Sequence, residues 1–426
     1  MVLQVEVNEQ STFDSIMNGV MFNHPRFFWN VLKTDQSTSL NKKEYRPYVY
    51  NGFLKLTSAQ KEEIQKASEI IYDIIARSTK SLLSVIDEQT LKGLGFPENA
   101  MQLAKVPFLK NVVSYISRLD LAVNEKGEIK CLEINPTTPF MINEGFECAD
   151  MVCTAFGKVP VNLQNKTLFK LNLIDLLRKS TNHLGKDASI TPIHLCTASV
   201  TASECYEEYR TVEFYREALV EMGYEVSHVE YKNLDVRENG LFIRNTDNKI
   251  DVLFLPAYPY EFLLNDDGGG QLIQLLAERQ LVVLNPPSSY FMHNKALFAL
   301  IWGLKDNEDV FSEEDKLNIE KYFIPTYLTP HSFSETSTPY VQKTIFGREG
   351  NSVFIFDKDN VCTNSPKDID YMDFPSIFQK FVDMPKHEGK TIVIGSFLLS
   401  GFASGIVARI GEAVTDGEAY LLPVCL

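Results

Sequence analysis

The sequence predicts an α/β protein: a helical layer first, then a mostly parallel sheet, then an antiparallel sheet. Three observations predict it. Residues 1–110 are dominated by helical periodicity. Between 191 and 290 apolar runs alternate with helical segments, and strand, helix, strand in sequence builds a parallel sheet with helices on its faces. Between 291 and 426 the runs 340–356 and 391–411 each read as strand, glycine turn, strand, the pattern of antiparallel hairpins.

In the first layer, 58–86 is the clearest helix, with Ile64, Ala67, Ile70, Ile71, Ile74 and Ile75 recurring at a helical period. Ser58 is its expected cap, with Lys61 rather than an acid three residues on, which makes half a capping box. The next unit, 111–190, reads as a polar-faced hairpin followed by connecting helices. From Thr191 the order is strand (TPIHLCTA), helix (204–223, stopped by Gly223), strand (224–229), strand (251–255), helix (268–280), strand (281–287). Ligands of such sheets bind beyond the carboxyl ends of the strands, here Thr197–Glu208 and Tyr258–Glu261. In the last unit 291–302 reads as one helix, 305–316 as a solvated loop or weak helix, 331–338 as a soft segment and 401–405 as a plain hairpin turn.

Composition narrows the function classes. The chain has 426 residues, 44% apolar and 23% charged, with a formal net charge of −15. Such a surface repels nucleic acid and anionic membrane, and no basic patch with interleaved aromatics offsets it. No uncharged apolar run reaches membrane-spanning length, and MVLQVEVNEQSTF has no secretory pattern. The seven cysteines are scattered with no CxxC pair, as reduced cytosolic thiols are, so a cytoplasmic location is expected. The seven histidines form no zinc-type cluster.

The stretch RLDLAVNEKGEIKCLEINPTT, 118–138, concentrates chemistry. With Lys126 and Gly127 at the turn, Glu125 faces Glu128, Asp120 faces Glu133 and Arg118 faces Asn135. Alternation then places Arg118, Asp120, Glu133, Asn135 and Cys131 on one face, and Leu119, Leu121, Leu132 and Ile134 on the core face. Facing carboxylates repel unless a cation compensates. Two carboxylates and an amide oxygen form a hard oxygen set suited to magnesium, with Cys131 only as lining and Arg118 as an anion clamp. The alternative is an exposed hairpin with an Arg118–Glu133 salt bridge.

Further cations stand out. Lys343 is on a strand before the polar turn Gly347-Arg348-Glu349-Gly350, and glycine-rich hairpins let backbone N–H groups approach phosphates. Neither the P-loop nor the dinucleotide spacing is present. Lys295, at a helix start, is placed either to meet an anion or to be exposed. Arg409 interrupts an apolar strand, so it must lie at an edge, be paired or face a cleft, and the cleft is favoured.

These residues fall in blocks. RLDL, LEINPTTP, EEYRTVEFY (207–215), YPYEF (258–262), HNKALFALIW (293–302), KTIFGREGNSV (343–353) and VIGSFLLSGFASGIVARIG (393–411) occur in one order. Together they resemble the synthetase part of the glutathionylspermidine synthase family, a permuted relative of the ATP-grasp ligases. The resemblance implies an ATP-grasp-like synthetase with a preATP-grasp parallel sheet at 191–290 and an ATP-binding unit with a glycine-rich flap at 291–426. The amidase domain of some members is expected to be absent. The resemblance implies ATP and Mg2+, with Asp120, Glu133 and Asn135 as metal ligands. Lys295, Lys343 and Gly347, Arg348, Glu349, Gly350 and Asn351 would hold the nucleotide. Arg118 and Arg409 would be the arginines of the reaction centre, and Thr137, Thr138, Glu207, Glu208 and Thr211 would lie near the substrates. Glu207 and Glu208 also fit a simpler role as acids in the first turn of a helix.

The implied activity is amide formation between a small-molecule carboxylate and an amine, such as a polyamine, through an acyl phosphate, with a homodimer as the expected assembly. The alternatives are a related ligase with other substrates and a non-catalytic ATP-binding protein. The chain departs from the family pattern at Ile410, where an acid usually follows the arginine, at Val424, where His usually follows Pro, and at Tyr258–Phe262, usually tryptophan-rich. These departures bear on glutathione and spermidine more than on ATP and magnesium.

Overall fold

The computed structural model describes residues 3–24, 27, 29–32, 45–110, 112–124, 126–186 and 192–426. Thr191 and the expected Glu125–Glu128 pair therefore lie outside the described residues.

The Ser58–Val85 helix organises the core. Its cap is Thr57, one residue before the expected Ser58. The Thr57 hydroxyl accepts from the Gln60 N–H at 3.2 Å, and the Gln60 carboxamide accepts from the Thr57 N–H at 2.7 Å. The box is complete because an amide at the third position serves as well as an acid. Ile64, Ala67, Ile71, Ile74 and Ile75 pack on Leu119, Leu121, Ile134, Ile394 and Leu398 of a large antiparallel sheet.

That sheet runs in the order Tyr420–Leu422, Phe402–Gly411, Lys390–Leu399, Ile116–Val123, Ile129–Asn135. It joins the polar-faced hairpin to the C-terminal one. Successive side chains alternate, so the helix takes one face, and Arg118, Asp120, Gly395, Val407 and Arg409 are left on the other. The C-terminal hairpin turns at Ser400–Gly401, both with positive φ, so 401–405 is mostly strand and not a turn.

The middle sheet is fully parallel, in the order Val282–Leu284, Val252–Phe254, Leu195–Ser199, Val226–Glu230. A third, antiparallel sheet has the order Thr326–Tyr327, Ser376–Lys380, Tyr340–Thr344, Phe354–Phe356, Cys362–Asn364. The molecule is thus a mixed α/β fold with parallel and antiparallel sheets.

Some expected elements differ. The N-terminal region is not only helical: Gln4–Glu6 pairs with Phe53–Lys55, which runs parallel to Val424–Cys425. Residues 291–302 are not one helix. Ser288–His293 ends before Asn294, whose side chain caps Ala296–Leu304 by accepting from the Ala296 N–H at 2.8 Å. The 305–316 stretch ends in a capped helix, Glu313–Tyr322, and His331–Thr336 is a short helix. Among the described residues no helix is long and apolar enough to cross a membrane.

Candidate active site

The hairpin keeps its expected pairing at the site and loses it toward the turn. Arg118 faces Asn135 and Asp120 faces Glu133, but Leu121 faces Cys131 and Val123 faces Ile129. A bulge opposite Asp120–Leu121 absorbs Leu132. This reverses two expectations. Cys131 is fully buried in the core beside Leu119 and Leu121, and Leu132 lines the cleft. One extra residue in a strand turns every following side chain to the other face. At the turn Gly127 has φ +79°, and its N–H donates to the Asn124 carbonyl at 2.8 Å.

Arg118 does not pair with Glu133. Its Nε and Nη2 grip the two oxygens of Asp120 at 2.7 and 3.1 Å, and its Nη1 donates to the Phe140 carbonyl at 2.7 Å. Arg409 donates to Asp120 Oδ2 at 3.0 Å, so it is both paired and on the cleft wall. Gly395, opposite Asp120, makes room for this cluster: a Cβ there would lie 2.6 Å from Val407 Cγ1 and 3.0 Å from Arg118 Cδ.

Glu133 meets the lysines. Lys295, 6% exposed, lies 3.3 Å from Glu133 Oε2 and donates to the Gly347 carbonyl at 2.6 Å, which excludes its reading as an exposed lysine. Lys343 donates to Gln379 Oε1 at 2.9 Å and lies 3.4 Å from the Leu132 carbonyl. Burial opposes the Glu133 charge, but Lys295, Lys343 and Arg118 outweigh it and hold the carboxyl at about 2. Burial pushes the Lys343 ammonium down, against the pull of Glu133.

The loop Gly347–Asn351 covers this cluster. Arg348 donates to Thr138 Oγ1 at 2.7 Å and to Glu261 Oε1 at 2.6 Å. Gly350, at φ +73°, fits against Val414 and Thr415, where a Cβ would come within 2.8 Å of Val414 Cγ1. Asn351 donates to Asp370 Oδ2 at 2.8 Å. The cleft beneath holds about 830 Å³ of empty space, including its open mouth. Its lining combines an apolar slot of Val341, Val353, Ile355, Phe381, Val382 and Met384 with a charged part of Asp120, Glu133, Lys295, Lys343 and Arg409. A flat ring fits the slot and a polyanion the charged part.

The expected substrate residues divide. Thr137 is buried with no partner for its hydroxyl, and Thr138 holds Arg348. Glu207 is half-buried. Burial first, then Glu349, push it up to about 7 against the pull of Arg409 and Arg118. Glu208 turns elsewhere, accepting from the Tyr231 hydroxyl at 2.7 Å and the Val200 N–H at 3.3 Å. Thr211 is fully buried and its hydroxyl has no partner.

The sequence reasoning missed several residues. Gln379 holds Lys343, and Asn285 binds the backbone of Tyr115, Ile116 and Thr137. His293 is a buried ring stacked on Phe346 and kept neutral by burial, Arg348 and Lys295. Glu144, 1% exposed, was also missed. A Glu-Gly step after a polar-faced hairpin was the one signal available for it.

Among the described residues, no three His, Cys, Asp or Glu side chains group as a metal site. The two carboxylates and Asn135 nonetheless form a hard oxygen set. The Asn135 amide nitrogen is buried without a partner, so no hydrogen bond from that nitrogen fixes which way the amide oxygen points. Asp120 and Glu133 are already neutralised by four cations, so a magnesium ion fits best when it arrives on a polyphosphate.

Residues 23–426 match the family described as "Glutathionylspermidine synthase preATP-grasp". The chain belongs to this family. It is also similar to a protein of Haemophilus influenzae named "Putative acid--amine ligase", 22% identical over 334 residues, covering 77% of this chain and 78% of that protein. A crystal structure of a "Putative gamma-glutamylcysteine synthetase" from Methylobacillus flagellatus KT superposes with a TM-score of 0.44 at 12% identity, covering 78% of this chain and 86% of that one. Two departures from the glutathionylspermidine synthase pattern lie away from the cleft. Ile410 and Val424 are both buried in the core around the Ser58–Val85 helix.

Proposed function

We propose that the protein is an ATP-dependent carboxylate–amine ligase that forms an amide through an acyl phosphate. The observation that carries this reading is the convergence of Arg118, Arg409, Lys295 and Lys343 on Asp120 and Glu133, in one cleft with an apolar slot and under a glycine-containing loop.

The adenine fits the apolar slot, and Lys295 and Lys343 hold the phosphates. Asp120, Glu133 and Asn135 would hold magnesium, which supplies neutralisation of the polyphosphate when bound. Arg118 and Arg409 stabilise charge on the transferred phosphoryl group and then on the acyl oxygen. The carboxylate substrate takes the phosphoryl group, and its acyl phosphate is attacked by the amine. Arg348, anchored to Thr138 and Glu261, keeps the loop down and water out, since water would hydrolyse the acyl phosphate.

Acidic residues near Arg409 favour a cationic amine such as a polyamine. The five buried free cysteines agree with a reducing compartment, and we place the protein in the cytoplasm. The test is ADP release with ATP and magnesium across an array of amino acids and short peptides, glutathione included. Each acid is run with and without spermidine, putrescine and simple amines. Release that needs both an acid and an amine is expected. ATP binding with no release from any pair would replace the ligase reading with a nucleotide binder.

A further inference from the structure

A carboxylate that no part of the proposed reaction uses lies buried behind the arginines of the cleft. Glu144 opens the π-helical turn Glu144–Cys148, which packs on the cleft face of the Phe402–Gly411 strand. Its position is fixed on two sides. Asn162 donates to the carbonyls of Gly145 and Ile406 at 2.9 and 2.7 Å and accepts from the Ile406 N–H at 2.8 Å. Gly145 sits over Val407, and Phe146 covers Gly405, where a Cβ would come within 2.4 Å of the Phe146 ring. The next cleft-facing residue of that strand is Arg409.

The Tyr206–Glu221 helix closes the other side. Arg210 donates to Asn143 Oδ1 at 3.4 Å, and Phe214 packs on Phe146 with ring centroids 5.9 Å apart. Glu207, Arg210, Thr211 and Phe214 are spaced i, i+3, i+4, i+7, so they share one helix face. That face meets residues 143–146, which places Glu207 and Thr211 toward Glu144. Arg118 joins this cluster to the cleft, because it grips Asp120 on one side and the Phe140 carbonyl on the other.

The cluster is polar and incompletely paired. Glu144 Oε2 has no hydrogen-bond partner, and the fully buried Thr211 hydroxyl has none. A buried carboxylate costs several kcal/mol unless it is paired or protonated. Groups around it are Glu207, Arg118, Arg210 and Tyr48, with Cys148 beside Tyr48 and Glu349 and Arg409 beyond Glu207.

We propose that Glu144, seconded by Glu207, binds the ammonium group of the amine substrate and takes its proton. The proposal rests on the ligase reading. An amine enters as R–NH3+, which has no lone pair to attack with. Glu144 accepts one proton, and the nitrogen then forms the C–N bond to the acyl carbon. The C–O bond to phosphate breaks, and the second nitrogen proton leaves with the phosphate as HPO4(2−). A good proton acceptor has a pKa near the working pH. Burial first, then Glu207, push the Glu144 carboxyl up to about 8, which agrees with this role.

The test separates the two nucleophile types. Wild-type protein and Glu144→Gln are given ATP, magnesium and the acid array. The first nucleophile is hydroxylamine, already unprotonated at neutral pH, and the second is putrescine. For Glu144→Gln, hydroxamate formation within threefold of wild type and a loss of about 100-fold with putrescine at pH 7 are expected. The putrescine rate of the variant should climb about tenfold per pH unit, the slope of a free amine fraction, while the wild-type rate levels off above pH 8. Equal losses with both nucleophiles, or no loss with either, would overturn the proposal and leave the ligase standing. If Glu144→Gln does not fold, the wild-type profile decides alone: a tenfold rise per unit through pH 9 would refute Glu144 as acceptor. Absence of hydroxamate from wild type with every acid would remove the ligase reading and this proposal with it.

Discussion

Asp120 and Glu133 oppose each other across two strands, and each is neutralised from a different direction: Asp120 by two arginines of its own sheet, Glu133 by lysines from outside it. The two sides of the cluster should therefore fail differently. Lys343→Ala is expected to weaken ATP binding by about tenfold to a hundredfold, as loss of a partly buried charge contact does. Glu133→Ala is expected to remove most turnover with a smaller loss of ATP affinity. Calorimetric ATP titration beside ADP release checks both, and wild-type turnover in both variants would remove the assignment of the site. Gly395 acts by having no side chain. Gly395→Ala should push Arg118 off Asp120 and lower turnover by at least tenfold, while Lys343-dependent ATP binding holds. ATP binding and turnover measured on the same preparation show whether the two separate.

Two elements shape the cleft: the bulged hairpin and the 347–351 loop. The hairpin's residue types and strand alternation were legible in the sequence, and its pairing at Arg118 and Asp120 followed from them. The bulge was not, because nothing in KCLEIN distinguishes a regular strand from one that gains a residue; the core face decides, by taking Cys131 and releasing Leu132. The loop's glycines were legible, but its latch to Glu261 was not, since that contact joins residues 87 positions apart. Arg348→Ala should raise the KM for ATP roughly tenfold, the worth of one charged hydrogen-bonded pair. It should also raise ADP release without amide, as water enters. The ratio of ADP to amide, followed by mass spectrometry, reads this uncoupling, and an unchanged ratio would mean the latch does not guard the acyl phosphate.

Across the whole molecule, burial raises three carboxyls toward neutral pH. Glu144 at about 8 and Glu207 at about 7 are both raised above 4.5, and Asp150 at about 6 is raised above 3.8, each chiefly by burial. Between the unfolded and folded values each of these groups binds more protons in the native state than in the unfolded one, so its contribution to stability is full below the unfolded value and is lost as pH rises through the folded value. Glu144→Gln removes the largest of these contributions. Its melting temperature is expected to fall less than that of wild type between pH 5 and pH 8, and to exceed it at pH 8. Parallel slopes for the two proteins would place the Glu144 carboxyl in a solvated setting.

What the sequence by itself determined was the fold class, the family, and the residues that carry charge in the cleft. Periodicity, turn glycines and local charge pattern are short-range properties and are written in consecutive residues. Only the tertiary structure decided which of these residues meet. Asp120 and Arg409 are 289 residues apart and Lys295 reaches Gly347 across 52. Glu208, next to Glu207 in sequence, turns away to Tyr231. Glu144 became a candidate only through its burial. Burial and the absence of a partner depend on everything packed around a side chain, and no local stretch of sequence contains that.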